Sequence, residues 1–182
     1  PELLARTCNA VLHGGEQAAS PRTGKLVVVF GVRGGVGSST IAVNVAWHLA
    51  EDLKRHVALL DLDLEGGDAA LQLNVNPGRA LREALEHPER LDDLLLERAI
   101  VKATERLGVL AALEPFKDPL IAKEAAVLPL LEKLRARFRY VIVDLPHWAG
   151  LNFPRLLDEA NMLLLVGDAS LASARDMLRW RE

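Results

Sequence analysis

Five short runs along the chain are apolar without alternation: KLVVVFG (25–31), HVALLDLD (56–63), LGVLAAL (107–113), RYVIVDLP (139–146) and NMLLLVG (161–167). Parallel strands covered on both faces require continuous apolar runs of this length, whereas a sheet with one wet face shows strict alternation. Between the runs lie stretches of helical spacing: Ser38 to Leu53, VLPLLEKLRARF (127–138) and the closing SLASARDMLRWRE. Strands alternating with helices predict an α/β fold, a mostly parallel sheet wound by right-handed crossovers and flanked by helices on both faces. Ahead of the first strand, Leu3, Leu4, Cys8, Val11 and Leu12 recur at helical spacing within residues 1–13, and GGEQAASPRTG (14–24) is small, polar and turn-rich. The pattern therefore predicts an N-terminal helix over 1–13, a linker over 14–24 and one domain over 25–182. A lone helix on a tether suggests a further segment upstream. There is no internal repeat and no low-complexity tract.

Composition changes this picture little but excludes several functions. The chain has 182 residues, half of them apolar, enough for a sizeable core. Lys plus Arg number 22 against 25 for Asp plus Glu, and the net charge of -3 gives no electrostatic case for wrapping nucleic acid or lying on an anionic membrane. Aromatics are only 4% of the residues, with no aromatic and basic interleaving of the kind that makes a nucleic-acid platform. No apolar run approaches the roughly 18 residues needed to span a bilayer. The single cysteine, Cys8, has no partner for a disulfide, and without a signal peptide the chain reads as cytoplasmic.

The candidate chemistry is concentrated in GVRGGVGSST, Gly31 to Thr40. Gly31, Gly34, Gly35 and Gly37 let the backbone turn its N–H groups inward as an anion-binding nest, and the loop leaves a strand and opens a helix whose dipole points at a bound anion. Laid on the phosphate-loop pattern G-x-x-x-x-G-K-[ST], the stretch has Ser38 at the lysine position and Ser39 at the magnesium-binding hydroxyl. Losing the ammonium removes about two charge-assisted bonds to phosphate, each worth roughly 1.5 to 3 kcal/mol. If those bonds strengthened in the transition state, turnover slows by on the order of 10² to 10⁴. Binding weakens less than chemistry.

Asp61, Asp63 and Asp144 fall at the C-terminal ends of expected parallel strands, the edge at which open α/β sheets bind ligands. So sparse an acidic set suits magnesium, which keeps waters and phosphate oxygens in its shell, better than calcium or zinc. Asp68 and Asp158 read as aspartates that merely cap the next helix, and Asn44 as a structural hydrogen-bonder. His48, His56 and His87 lack neighbours at metal-ligand spacing. Arg135, Arg137 and Arg139 read as a solvated cluster near a helix C-terminus. His147 and Trp148 follow the fourth strand in a loop where they could meet a partner chain, although an idle histidine is the plainer reading.

The string RGGVGSST resembles K-G-G-x-G-K-[ST]-T of the ParA/MinD group of deviant P-loop ATPases, with Arg33 at the signature lysine. HVALLDLDLEGGDAALQLNV is similar to that superfamily's second motif, and its L-D-L-D-x-x-x-G-D form most resembles the pilus-assembly proteins called CpaE or TadZ. YVIVDLPHWAG resembles their Walker B strand and switch, and residues 76–116 their insertion of a helix, a P-x-R-L-D turn and a strand ending in L-A-A. The resemblance covers residues 25 to 180. It implies an ATP site in which Arg33, Gly34, Gly35, Val36, Gly37, Ser38, Ser39 and Thr40 bind nucleotide, Ser39, Asp61 and Asp144 lie at Mg2+, and Asp63 positions the attacking water if the site is active. Arg33 is then the cation that crosses a dimer interface, with a longer, planar head than lysine. It also implies a homodimer serving the Tad/Flp pilus machinery, often at a cell pole, reaching the membrane only indirectly, with a receiver-like domain commonly preceding the ATPase domain and further strands following it. Three functions compete: a nucleotide-dependent positioning switch with weak or absent hydrolysis, a slow ATPase cycling between monomer and dimer, and a nucleotide-free dimeric scaffold.

Overall fold

In the computed structural model of the chain, residues 23–112 and 117–180 are described. The expected helix over 1–13 and most of the linker over 14–24 lie outside them. The chain enters on β1 (Lys25–Gly31), turns through the glycine-rich loop, and follows α1 (Ser38–Trp47), which closes in a π-helical turn over His48–Asp52, into β2 (Val57–Asp61). Then come α2 (Ala69–Gln72), α3 (Ala80–Glu86), α4 (Asp93–Ala99), β3 (Val101–Lys102), β4 (Leu107–Leu110), α5 (Glu124–Arg137), β5 (Tyr140–Leu145), α6 (Pro154–Glu159), β6 (Met162–Val166) and α7 (Leu171–Arg179). The six strands lie in the order β3-β4-β2-β5-β1-β6. Every pair is parallel except β3 with β4, which run antiparallel.

The continuous apolar runs fold as parallel strands because both their faces are covered. Along β1, Leu26, Val28 and Phe30 point into one core layer with α3, α4 and α5, while Val27 and Val29 point into the other with Ala42, Val45 and Ala46 of α1. All residues of β2, β4 and β5 are buried. The segment between β2 and β4 holds its helices by ordinary devices. Asp92 caps α4 by accepting from the N–H of Leu95 at 2.7 Å, and the preceding P-x-R-L-D turn contains a 3₁₀ turn over Pro88–Arg90.

The arginine cluster at the end of α5 differs from the solvated face expected. Only Arg139 and Arg137 keep mainly to solvent or surface ion pairs, Arg137 with Asp93 and Glu97. Arg135 folds back: its Nε donates to the carbonyl of Gly24 at 2.9 Å, while the N–H of Gly24 donates to the carbonyl of Arg135 at 2.7 Å. The reason is a close approach of backbones, since a Cβ on Gly24 would lie 3.0 Å from the Arg135 carbonyl oxygen. Among the described residues no helix is long and apolar enough to cross a membrane.

Candidate functional site

The site forms where the loops leave the carboxyl ends of β1, β2 and β5. Register brings those ends together: Asp144 pairs across with Val29 on one side and with Asp61 on the other. The glycine-rich loop then turns back over this edge. Gly35 (φ 80°) and Gly37 (φ 87°) adopt the left-handed conformation, and Gly37 is the N-cap of α1. A Cβ on either would meet nothing within 4 Å, so backbone conformation rather than crowding calls for glycine there. At Gly31 the reason is crowding, because a Cβ would lie 2.6 Å from the carbonyl oxygen of Arg33 and 2.7 Å from Cγ2 of Val36.

Among the described residues, none of the backbone N–H groups from Arg33 through Thr40 donates a hydrogen bond within the chain; the first helical bond is from Ile41 to the carbonyl of Gly37, 3.0 Å. An uninterrupted row of open donors at a helix N-terminus is an anion cradle. The cleft over it measures about 240 Å³ and is lined by Arg33, Gly34, Gly35, Ser38 and Ser39 from the loop, by Asp63, and by Asp144, Pro146, His147 and Trp148 from the far side. Val36 is half-buried beneath the loop, and Thr40 is exposed on α1, where its carbonyl accepts from Asn44 Nδ2 at 2.7 Å, the structural role expected of that asparagine.

The two buried carboxylates differ in their partners. Asp144 accepts from the Ser39 hydroxyl, but its Oδ2 is buried without a hydrogen-bond partner. Burial pushes its carboxyl up to about 6, with the charges of Asp68 and Asp63 adding to the rise and the Ser39 bond opposing it. Asp61 lies behind the cleft wall. Its Oδ1 accepts from the N–H of Asp63 at 3.0 Å and its Oδ2 from that of Ala69 at 3.3 Å. Burial first, and then the Asp144 charge, raise its carboxyl to about 7. Asp63 is half-exposed, faces the cleft, and accepts from the N–H of Gly66 at 3.0 Å.

Two contributors were not singled out as site residues from the sequence. Gly67 is the glycine of L-D-L-D-x-x-x-G-D, and a Cβ there would collide with Asp61 Oδ2 and the carbonyl oxygen of Asp63. The signal was the motif itself, in which a small residue permits the chain to fold back over its own carboxylate. His147 lies over the phosphate loop, its Cε1 3.3 Å from where a Cβ on Gly34 would stand. Nothing local in the sequence indicates that contact, which depends on β1 and β5 being neighbours. Among the described residues there is no cluster of three or more His, Cys, Asp or Glu side chains able to hold a metal. Asp68 stands at the N-cap of α2 but, unlike the expected cap, its side chain accepts no backbone N–H there; its exposed Oδ1 accepts from Gln72 Nε2 at 2.9 Å instead.

Comparison with known proteins agrees with this geometry. A protein-family model described as ParA, NUBPL iron-transfer P-loop NTPase, matches residues 22–146. The septum site-determining protein MinD of Helicobacter pylori is 32% identical over 152 residues, 83% of this chain and 55% of that protein. The chain thus spans about half the length of that relative. Among solved structures, a ParA family ATPase from Chlorobium tepidum TLS superposes with a TM-score of 0.75 at 24% identity, covering 85% of this chain and 64% of that one. MinD of Pyrococcus horikoshii OT3, complexed with Mg-ADP, gives 0.65 at 21% identity over 87% of this chain and 65% of that one. At those identities the structures speak for the fold alone, and it is the match over most of the sequence that decides: this chain belongs to the ParA family of P-loop NTPases.

Proposed function

We propose that the chain is a nucleotide-dependent positioning switch that binds ATP with Mg2+ in the cleft over Arg33–Thr40, dimerises around it and hydrolyses it weakly or not at all. One observation carries the binding half: the row of open N–H donors from Arg33 to Thr40, facing a cleft whose opposite wall holds a buried, unpartnered oxygen on Asp144. Donors of that kind fit phosphate oxygens, and an orphaned carboxylate oxygen beside the Ser39 hydroxyl fits a hydrated magnesium ion. In this reading Ser39 and Asp144 hold the ion, Asp61 braces the wall behind them, the loop from Gly34 to Thr40 holds the phosphates, and Arg33 reaches across the dimer. The bound metal neutralises charge on the phosphates; the chain orients and shields them.

Ser38 carries the other half, because a hydroxyl cannot replace the charge of an ammonium at the transferring phosphate. A slow ATPase is the second reading, favoured by Asp63, whose half-exposed carboxylate faces the cleft where a water could be oriented. Thermal melting with and without Mg-ATP, together with phosphate release by wild type and Ser38→Lys, tests all of this. We expect Mg-ATP to raise the melting temperature of the wild type and turnover to rise at least about 100-fold in the lysine variant. Wild-type turnover already matching the variant supports the slow ATPase, and no nucleotide response at all leaves the scaffold.

The finer assignment, to the CpaE/TadZ kind that places the Tad/Flp pilus machinery at a cell pole through partner proteins, is supported by L-D-L-D-x-x-x-G-D and by the P-x-R-L-D turn. Deleting the gene from its host should remove assembled Flp pili from the cell surface, and normal surface pili in the deletion strain reject this assignment.

A further inference from the structure

We propose that His147 is the phosphate-facing donor that stands in for the ammonium absent at position 38, a reading that rests on the nucleotide site proposed above. Four observations converge on it. His147 opens the 3₁₀ turn over His147–Asn152 directly after β5, so the rigid centre of the sheet fixes where its backbone stands. Its ring lies against Gly34, with Cε1, Nδ1 and Nε2 at 3.3, 3.6 and 3.9 Å from the position a Cβ would take. It lines the same cleft as Ser38, Ser39 and the unpartnered Asp144. Among the described residues neither ring nitrogen has a hydrogen-bond or ion-pair partner, so a donor is held over the phosphate cradle with nothing in the chain to receive its proton.

Gly34 acquires a specific purpose from this arrangement. Its φ is not left-handed, so backbone conformation alone does not call for glycine. The absent side chain instead lets the imidazole lie on the loop and reach the space above it. Arg33, the arginine lining the cleft, is also within electrostatic reach of Asp168, outside the cleft, and lines a second recess with Asp176, Arg179 and Trp180. His147, like Arg33, lines both spaces. The ligand chemistry is that of a diphosphate or triphosphate chain, whose oxygens accept from an imidazole N–H as they do from lysine.

The test uses the protein with tripolyphosphate and with ATP, each with magnesium, read by calorimetry. His147→Phe keeps a ring on Gly34 and removes both nitrogens; affinity for both probes is expected to fall about tenfold or more. His147→Lys is expected to recover most of that loss, and Gly34→Ala, which moves the ring by only a few tenths of an ångström, to cost less affinity than His147→Phe. The ring proton resonances missing from the His147→Phe spectrum are expected to shift when tripolyphosphate is added to the wild type, a readout that a merely structural histidine does not give. Unchanged affinity in His147→Phe, or ring resonances that stay in place while the wild type binds, overturns the role of His147 and leaves the nucleotide reading standing. A wild type that binds neither probe overturns both.

Discussion

Asp144 is the residue at which the fold works against itself. Its carboxyl, raised by burial to about 6, sits beside Asp61, raised to about 7, and one of its oxygens has no partner. Below about pH 4 these groups are protonated in both folded and unfolded chains, and above about pH 7 both are ionised. Between those limits the folded chain holds protons that the unfolded chain has released, so stability falls as pH rises across the window. Asp144→Asn removes one of the two charges. It is expected to raise the stability of the ligand-free protein at pH 7.5 by about 1 to 3 kcal/mol and to flatten the dependence between about pH 4 and pH 6, measured by urea denaturation across a pH series. A variant no more stable than wild type at pH 7.5 means that Asp144 is not held at this cost. The same substitution should abolish any stabilisation by Mg-ATP, which separates the folding cost of the carboxylate from its use.

Among the elements, β1 and α1 were the most legible. An unalternating apolar run, a cluster of glycines and a stretch of helical spacing each point to one local conformation, and tertiary packing agrees with all three. The edge strand β3 was not legible, because two residues, Val101 and Lys102, carry no periodicity and are defined only by their partners Val109 and Gly108. The cradle could be read for the same reason as the helix it opens, whereas the position of His147 could not, since strand order rather than local sequence brings it to Gly34. Arg135 was misread as solvated because a helix-terminal arginine gives no sign of what lies beyond the helix. Its side chain, 18% exposed, pins the end of α5 to the start of β1. Arg135→Ala is expected to destabilise the protein by about 1 to 2 kcal/mol with no effect on phosphate affinity. An unchanged urea midpoint removes that link.

For the whole molecule the sheet is asymmetric. Its central strands are sealed by helices, but β6 pairs only with β1 among the described residues, and Leu163 on it is 48% exposed. Apolar edge strands invite pairing with another chain, which lysine discourages. Leu163→Lys is expected to lower concentration-dependent light scattering while changing stability by no more than about 0.5 kcal/mol. Scattering that stays the same shows the edge to be inert.

Because Asp61 and Asp144 face each other in the register of β2 and β5, the two loops that leave those strands set out from one stiff shelf. Pro146 leads from that shelf to Trp148 and Leu151, whose side chains are exposed beside the two clefts, so the apolar surface nearest the shelf is carried by the loop after β5.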